Sequence, residues 1–455
     1  MRSFDVAIVG AGFSGTLTAL QIGRAARIPA SILLADKDGV FGRGLAYRKT
    51  TEPHLLNVPA KKMGAFPDDT NNFVARQALS DPDSFQLRTL YGDYLQGLLA
   101  TAARDMSRLE QSATEITDVE IADGGFVVST ATGEPFFATI VILALGNFQP
   151  SHYVRDSLGP DGGPFYVDDP LDGATLDSVV SHASDVLVVG TGLTALDCMT
   201  SLASRISGVI HVTSRRGLLA QAHAGTELPV TEPPELRECE TALSVLRAVR
   251  AAIREQSGRG IDWRSVIDSL RPLTPTVWQR LPVRERKRFL RHLRPFWETR
   301  RHRCAPAQRA LIDDLVAAGR IRRHRGRIVR AQAGADGLQV TMFDRGQQTQ
   351  VEIVVSHVLN CTGSEIDYAR VDSKLVRNLL RRGLIAVDET RLGLAATADG
   401  CVRSRTGDVV PNLFAIGSPL KGILYETTAV PELRKQAHDL GDRCAAILEK
   451  NLDVA

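Results

Sequence analysis

The sequence predicts an α/β fold in which one strand–turn–helix unit occurs twice. The first copy is "FDVAIVGAGFSG" at residues 4–15, and the second is "DVLVVGTGLTALD" at residues 185–197. In each copy a short apolar run, suited to a buried parallel strand, leads into closely spaced glycines and then into a helical stretch. This order is typical of Rossmann-like dinucleotide-binding domains, so we expect two of them.

The first glycine turn has the spacing G-x-G-x-x-G, which permits a tight turn, a close approach of backbone to a pyrophosphate and close helix–strand packing. The start of the following helix offers free N–H groups to phosphates. Asp36 ends the next strand about 20 residues further on, where a carboxylate accepts hydrogen bonds from ribose hydroxyls. A site for a ribose with both hydroxyls free favours a nucleotide such as FAD. The turn predicted to bind FAD comprises Gly10, Gly12, Phe13, Ser14 and Gly15.

The second glycine turn has alanine in its third position, and the strand after it ends in Ser-Arg-Arg rather than in an acid. Hydroxyl and guanidinium groups hold a 2′-phosphate that a carboxylate would repel, which favours NADPH. If the two arginines are ordinary surface residues, NADH would serve equally well. The predicted nucleotide contacts are Gly190, Gly192, Leu193, Thr194, Ser214, Arg215 and Arg216.

The length of 455 residues suits two or three domains rather than one core. We expect an FAD-binding domain made of residues 1–150 and 331–455. The NAD(P)H-binding domain, residues 151–330, is then nested in the first. Stretches of helical pattern such as "TALSVLRAVRAAIREQ" predict a helical insertion in it at about residues 236–300.

Composition and charge exclude several classes of protein. Hydrophobic residues make up 44% of the chain and charged residues 24%, as in soluble globular proteins, and the net charge of +3 does not imply nucleic-acid binding. The chain has no apolar run of about 18 residues and no signal-peptide layout at its start. We therefore expect a cytoplasmic protein with no membrane or nucleic-acid partner.

The six cysteines are scattered along the chain, and none lies in a C-x-x-C pair. This pattern is typical of buried thiols in a reducing compartment. It excludes a dithiol relay unless two distant cysteines meet in the folded chain. Cys/His spacings typical of metal sites are also lacking, so no metal is expected.

Seven stretches together resemble a bacterial family of two-dinucleotide flavoproteins over nearly the whole chain. They are "FGRGLAY" (41–47), "HLLNVPAKKM" (54–63), "LYGDYL" (90–95), "VGTGLTALD" (189–197), "SRRGLLAQAH" (214–223), "RHRCAP" (301–306) and "GILYETTAVPELRKQA" (422–437). The family includes an FAD-dependent urate hydroxylase and an aspartate N-monooxygenase. The resemblance implies binding of FAD and NAD(P)H and, with O2, oxygenation of a small substrate.

The resemblance also implies roles for particular positions. A loop of Gly42, Arg43 and Gly44 is expected near the flavin pyrophosphate, and Asn57 and Val58 are expected near the isoalloxazine ring.

Further flavin contacts are expected at Gly146 and late in the chain. Gly146 lies in a glycine turn after a buried strand, and Gly417 matches the glycine of the late flavin motif. Ser418 stands where many related flavoproteins have an Asp that meets the ribitol chain. Glu426 and Thr427 lie in a stretch expected to approach the pyrimidine edge of the ring.

The segment "RERKRFLRHLRPFWETRRHR", residues 284–303, holds eight arginines, one lysine and two histidines against two glutamates. It predicts either a basic wall for an anionic substrate or NADPH, or a solvated helix face. Phe296 and Trp297 would either stack on a flat ring or belong to the apolar stripe of the helix.

Four residues are candidates for catalysis, each with a structural alternative. His223 is a candidate proton shuttle or a structural histidine, and Glu426 is a base or a structural acceptor. His302 and Arg303 are candidates because they stand in the family-like motif "RHRCAP".

These observations predict a monooxygenase that uses FAD, NAD(P)H and O2 on a small polar metabolite. The best single substrate hypothesis is urate, hydroxylated to 5-hydroxyisourate. It is suggested by the resemblance to the family of the urate hydroxylase, and residues 296–303 would offer a flat monoanion guanidinium partners and a flat neighbour. Three alternatives stay open: an aspartate-like amino-acid N-monooxygenase, an NAD(P)H-dependent flavin reductase without oxygen insertion, and a non-enzymatic redox sensor. The sequence does not determine the oligomeric state.

Overall fold

The computed structural model describes residues 1–27, 29–50, 52–106, 108–150, 153–182, 184–224, 230 and 234–452. Their strands are β1 Ser3–Val9, β2 Ile32–Asp36, β3 Leu109–Ala113, β4 Ile116–Ala122, β5 Gly125–Thr130, β6 Phe136–Leu143, β7 Tyr166–Val167, β8 Val186–Val189, β9 Ile210–Ser214, β10 Ile321–Gly334, β11 Gly337–Asp344, β12 Thr349–Val355, β13 His357–Asn360, β14 Cys401–Arg403 and β15 Val409–Ala415.

The α-helices pack on both faces of these strands. They are α1 Phe13–Ala25, α2 Asn72–Arg76, α3 Arg88–Asp105, α4 Tyr153–Leu158, α5 Gly173–His182, α6 Leu193–Ala203, α7 Ala242–Gly258, α8 Trp263–Ser269, α9 Thr274–Arg280, α10 Val283–His292, α11 Arg294–Arg301, α12 Pro306–Ala317, α13 Lys374–Arg382, α14 Lys421–Leu424 and α15 Val430–Leu452. None of the described helices is long and apolar enough to cross a bilayer.

The first sheet joins strands from both ends of the chain. Its order is β14–β15–β6–β1–β2–β3, and the antiparallel pair β4–β5 extends it from β6. β1 is parallel to β2 and β6 and is buried on both faces, with Val6 and Ile8 in one core and Ala7 and Val9 in the other. A strand covered on both sides needs an unbroken apolar run, which is the pattern found in the sequence.

The second sheet has the order β12–β11–β10–β9–β8–β13–β7. The structure differs here from the domain boundary predicted at residue 330, which lies inside β10. β11, β12 and β13 all belong to the second sheet, and the chain rejoins the first sheet only at β14. The alternation of a strand shows which face is buried, but it does not show which sheet the strand joins.

The predicted insertion at about residues 236–300 is helical and comprises α7–α11, and α12 follows it before β10. α7 begins at a capping box in which Thr241 and Ser244 satisfy each other's backbone N–H groups. The insertion has a small core of its own, which includes Val249 and Ile267, and it also packs on the C-terminal segment through Trp278. The insertion therefore packs against the first domain.

Buried ion pairs fix the two domains against each other. Arg88 Nη2 lies 2.7 Å from Asp197 Oδ2 in α6, and the Asp197 side chain is only 2% exposed. Arg48 and Asp169 make a bidentate pair at 2.6 and 2.7 Å. Removing one partner of such a pair would leave the other charge buried without a counter-ion. These contacts therefore hold the two domains in one orientation.

A histidine pair in the second sheet predicts a pH-dependent stability. His211 Nδ1 and His324 Nε2 lie 3.0 Å apart on β9 and β10, and burial lowers the pKa of both imidazoles from 6.5. The folded state then favours neutral imidazoles, so stability is complete above pH 6.5 and is lost as the pH falls toward the lowered pKa values.

We expect the melting temperature of the parent protein to fall between pH 7.5 and 5.5 more than that of His324→Gln, which keeps a hydrogen-bonding group without the charge. His438→Gln, at an exposed position on α15, is the matched control. Equal pH dependence of parent and His324→Gln in thermal denaturation would contradict the assignment.

Candidate functional site

The first glycine turn is packed so tightly that two of its glycines are required by the chain itself. Gly10 has a φ of +105°, and a Cβ there would lie 2.2 Å from the Ala144 carbonyl oxygen. A Cβ on Gly15 would lie 1.9 Å from the Gly10 carbonyl oxygen. Any side chain at these positions would displace backbone, which explains the two outer glycines without reference to a ligand.

Gly12 is different, because the protein leaves room for a side chain there. Its φ is −70°, and the closest atom to an added Cβ is Gly44 Cα at 3.4 Å, an ordinary contact. α1 begins at Phe13 with no side-chain cap and no acid in its first turn. Free N–H groups beside an open glycine fit the pyrophosphate of a dinucleotide.

Asp36 lies beside this turn at the end of β2. Its Oδ2 accepts a hydrogen bond from Ala11 N at 3.3 Å, and its Oδ1 accepts from Asp38 N and Val40 N at 3.1 Å. The carboxylate is thus fixed next to the glycine turn, where the ribose hydroxyls of FAD would need it.

The loop of residues 42–44 covers the turn through its backbone rather than through Arg43. Gly44 is so close that a Cβ on it would lie 2.8 Å from Gly12 Cα. The Arg43 guanidinium points away from the turn, donates to the Tyr47 and Thr89 carbonyl oxygens at 3.2 Å and pairs with Asp93. Arg43 therefore supports the loop from behind, and the loop approaches the glycine turn through the backbone of Gly44.

The late flavin motif folds back over the first turn. Gly417 has a φ of +79°, and a Cβ there would lie 2.9 Å from Ser14 Oγ. Thr427 Oγ1 donates to the Gly417 carbonyl oxygen at 3.2 Å, and Gln436 of α15 bonds both Gly417 N and Thr427 Oγ1. Ser418 Oγ donates to Asn147 Oδ1 at 2.7 Å. The predicted segments around residues 12, 146 and 417–427 therefore converge beside the first glycine turn.

Tyr425, one residue before Glu426, has a backbone conformation that is costly for a side chain. Its φ and ψ are 60° and −55°, and Glu426 N donates to the Leu424 carbonyl oxygen across it at 2.7 Å, which makes a strained γ-turn. The ring of Tyr425 stacks on Trp278 of the insertion at 4.5 Å. The insertion thus holds the turn that aims Glu426 and Thr427.

The second glycine turn has the same two kinds of glycine as the first, one packed against backbone and one with open space beside it. A Cβ on Gly190, which has a φ of +123°, would lie 2.1 Å from the Cys361 carbonyl oxygen. Gly192 has no described atom within 4 Å of an added Cβ, and α6 then begins at Leu193 and Thr194 with no side-chain cap. The open glycine and the uncapped helix again fit a pyrophosphate.

The predicted 2′-phosphate residues do not all face the same way. Ser214 Oγ accepts hydrogen bonds from Thr191 Oγ1 and from Gly217 N, each at 3.0 Å. Arg215 is exposed. The Arg216 guanidinium lies 5.0 Å above the ring of Phe296 in α11, so it packs against the insertion.

His223 lies at the contact between the domains. Its Nε2 is 3.0 Å from the Asn57 carbonyl oxygen, and its ring is 5.4 Å from that of Phe85. Val58 packs against the core of the first domain. The expected flavin-ring segment is thus held from the second domain by a histidine.

The basic segment is not a wall of unpaired cations. Arg301 is buried, with its Nη2 3.1 Å from Glu426 Oε2 and 3.5 Å from Glu432 Oε1. Trp297 Nε1 donates to Glu426 Oε1 at 3.0 Å, and Arg303 Nη2 donates to Asp268 Oδ2 at 2.6 Å. The carboxylates come from other elements, so the predicted positive wall is a buried network of alternating charges.

His302 lies outside this network at the end of α11. Its Nδ1 is 3.3 Å from Glu298 Oε2, and its side chain is 38% exposed. Burial alone would raise the pKa of Glu298, but the bond from His302 and the charges of Lys421 and Arg294 outweigh it and lower that pKa. His302 is therefore placed to hold Glu298 rather than to contact a ligand beside Glu426.

Sequence reasoning did not single out four polar residues of the site. Asp268 and Arg271 lie in or next to an ordinary helix outside the quoted motifs, whereas Glu432 and Gln436 lie within the family-like stretch of residues 422–437. Their contacts with Arg303, Arg301 and Thr427 in the folded chain identify them.

Two distant cysteines do meet in the structure. Cys198 Sγ and Cys361 Sγ are 3.6 Å apart, and both residues are buried. The hydrogen bond with Cys361 and burial together raise the pKa of Cys198 well above its ordinary value. Because the thiolate is the reactive form, this pair is poorly suited to a dithiol relay.

Two sheets that each end in a glycine turn at a helix define the architecture of proteins that bind two dinucleotides. Residues 7–148 match a sequence family described as FAD-NAD(P)-binding. The predicted α/β class is confirmed, and the predicted cofactors are the dinucleotides of that family. No curated protein sequence matches the chain significantly.

Solved structures share this fold over almost the whole chain. A cadaverine monooxygenase of Erwinia amylovora, bound to FAD, has 13% identity and a TM-score of 0.67 over 98% of this chain and 95% of its own. An L-lysine 6-monooxygenase of Pseudomonas syringae has 18% identity and a TM-score of 0.66 over 98% and 99%. A thioredoxin reductase of T. acidophilum has 13% identity and a TM-score of 0.53 over 99% and 100%.

The geometry of the first turn predicts that two glycine variants will fail in different ways. Gly12→Ala should fold normally and lose FAD, because its Cβ meets only Gly44 within the protein and otherwise occupies the space of the pyrophosphate. Gly10→Ala should lose stability as well, because its Cβ collides with backbone. Flavin absorbance after purification and thermal denaturation measure the two effects. Full flavin occupancy in a folded Gly12→Ala protein would show that the pyrophosphate lies elsewhere.

Proposed function

We propose that this protein is an FAD-dependent monooxygenase that uses NAD(P)H and O2 to hydroxylate the nitrogen of a small amine that also bears a carboxylate. The observation that carries the proposal is the buried cluster of Arg271, Arg301, Glu426 and Glu432. It lies where the helical insertion meets the segment that contains Thr427. Arg271 Nε is 3.2 Å from Glu432 Oε1, which completes a chain of two cations and two anions.

Polar atoms of this cluster lack hydrogen-bond partners. Among the described residues, Arg301 Nε and Glu432 Oε2 are buried and have no hydrogen-bond partner, whereas Arg301 Nη2 and Glu432 Oε1 are engaged in the ion pairs of the cluster. Buried polar groups without hydrogen bonds are costly and call for a bound group. A zwitterion supplies both halves, a carboxylate for Arg301 and amine N–H groups for Glu432.

The same cluster weakens the case for urate. The urate hypothesis depends on guanidinium groups free to hold a monoanion, but Arg301 faces two glutamates and Arg303 faces Asp268. A site with equal numbers of cations and anions has no excess positive charge for an anion. Arg216 also lies over one face of the Phe296 ring, which is no longer available to stack on a flat substrate. An overall neutral zwitterion matches this balance better than a monoanion does.

Bound FAD would supply the redox chemistry by taking two electrons from NAD(P)H and activating O2. The overall reaction is RNH2 + O2 + NAD(P)H + H⁺ → RNHOH + H2O + NAD(P)⁺. The protein's own part is to hold the substrate carboxylate at Arg301, to accept amine N–H groups at Glu432 and to exclude water. Glu426 is a positioning residue in this scheme, because Trp297 and Arg301 already occupy its carboxylate.

The comparisons support amine oxygenation over simple electron transfer. The similar folds include proteins described as cadaverine and lysine monooxygenases and as an ornithine hydroxylase, at TM-scores of 0.64–0.67. The buried, high-pKa thiol of Cys198 also argues against a disulfide reductase.

Substrate-dependent oxygen uptake tests the proposal. FAD-loaded protein with NADPH or NADH should consume O2 faster with one of a panel of amino acids and their ω-amino derivatives. The product should be heavier by one oxygen in mass spectrometry and should react as a hydroxylamine. Urate is the control compound and should not be consumed. Consumption of urate coupled to O2 uptake, or coenzyme oxidation that needs only an artificial acceptor, would contradict the proposal.

Glu432→Gln tests the cluster directly. The variant should keep its FAD, because Glu432 is not part of the glycine turns, and kcat/KM for the amine should fall about 10- to 100-fold. That is the size expected for the loss of a hydrogen bond to a charged group. Glu449→Gln, further along α15 and partly exposed, is the matched control and should be unchanged. Retention of more than half the activity by Glu432→Gln would place the substrate outside the cluster.

A further inference from the structure

We propose that Arg325 of β10, together with Arg215 and Ser214, forms the subsite that recognises the 2′-phosphate of NADPH. The inference rests on the proposed use of a nicotinamide dinucleotide and names the residues that select it. The sequence points to Arg215 and Arg216 for this role, but the structure gives Arg216 another partner. The second guanidinium then has to come from elsewhere in the fold.

The register of the second sheet places Arg325 at the required position. β10 runs parallel to β9 over five residues, and Arg325 is paired with Ser214, the last residue of β9. Residues paired across neighbouring strands have side chains on the same face of a sheet. β9 stops at Ser214 while β10 continues, so Arg325 stands at the edge where the adenosine ribose of a dinucleotide is held in this fold.

The turn after β9 is built against the stems of two arginines on β10. A Cβ on Gly217, which has a φ of +62°, would lie 3.5 Å from Arg325 Cβ. Arg323, two residues earlier on the same face, donates from Nη2 to the Gly217 carbonyl oxygen at 2.5 Å. Arg323 thus holds the turn, and Arg325 lies alongside it, where none of the described residues accepts a hydrogen bond from its guanidinium.

The charges around this edge favour an anion. Within the described part of the chain, neither Arg215 nor Arg325 makes an ion pair with an acidic side chain, and both residues are exposed. The carboxylate of Asp344 accepts hydrogen bonds from the backbone N–H groups of Arg325, Gly346 and Gln347. Two free guanidinium groups and the Ser214 hydroxyl suit a phosphate dianion, for which arginine provides bidentate hydrogen bonds.

Arg216 has a different task in this arrangement. Its guanidinium lies over Phe296, the residue before Trp297, which donates to Glu426. Arg216 therefore ties the turn to the insertion, and its removal should not selectively weaken the binding of a 2′-phosphate.

The test is the binding of two nucleotide fragments to the FAD-loaded protein at fixed ionic strength, by isothermal titration calorimetry. Adenosine 2′,5′-bisphosphate carries the 2′-phosphate, and adenosine 5′-monophosphate lacks it. The parent should bind the bisphosphate more tightly than the monophosphate. Arg325→Ala should raise the Kd of the bisphosphate about 10- to 100-fold and leave the Kd of the monophosphate within twofold of the parent value. The affinity of Arg325→Lys for the bisphosphate should lie between those of the parent and of Arg325→Ala, because lysine keeps the charge and loses the bidentate geometry.

Arg330→Ala, an exposed arginine further along β10, is the matched control for general charge and should stay within twofold of the parent for both fragments. Equal losses in Arg325→Ala and Arg330→Ala, or a loss in Arg216→Ala as large as that in Arg325→Ala, would overturn the assignment. A parent protein that binds both fragments equally would also overturn it. In that case NADH-driven oxygen uptake with the amine still tests the proposed function, so the two failures are distinguishable.

Discussion

The structure depends on one repeated constraint, the absence of a side chain where a glycine turn touches the neighbouring strand. Gly10 lies against the carbonyl of Ala144, just past the end of β6, and Gly190 lies against the carbonyl of Cys361, just past the end of β13. A Cβ at either place would come within about 2.2 Å of that oxygen. Because the turn fits this closely, each helix can begin directly above the edge of its sheet with its N–H groups free. β6 and β13 thus play the same part in the two domains.

The helical insertion completes a cluster of charged side chains that neither sheet domain forms alone. It supplies Trp278, which stacks on the strained turn at Tyr425, and Arg301, which meets Glu426 and Glu432 from the C-terminal segment. Several of these groups are buried, so each charge has to be paired or bound to a ligand. The balance of two cations and two anions then decides the kind of ligand that can enter. A zwitterion adds no net charge to the cluster, whereas a monoanion would leave one negative charge uncompensated.

The domains are also linked at a distance from this cluster. Asp197 and Glu52 are buried and pair with Arg88 and Arg205 across the domain boundary, and His223 meets the Asn57 carbonyl. The nicotinamide domain is therefore held against the loops expected beside the flavin ring. This contact requires no catalytic role for His223, since its imidazole already has a structural partner. His302 and Arg303 are likewise engaged, by Glu298 and Asp268.

The sequence by itself determined the two glycine turns, the acid at residue 36, the helical insertion and hence the fold class, because these depend on local conformation and on short-range periodicity. It also singled out the late segment around Gly417 and Thr427, which the folded chain brings against the first glycine turn. Only the tertiary structure decided which sheet receives β11–β13, since an alternating strand pattern is the same in either sheet. Only the tertiary structure paired the arginines of residues 284–303 with Asp268, Glu426 and Glu432, which lie up to 131 residues away from Arg301 along the chain. A charge in a sequence has a sign but no partner, and the partner determines whether an arginine is available to an anion or is already neutralised.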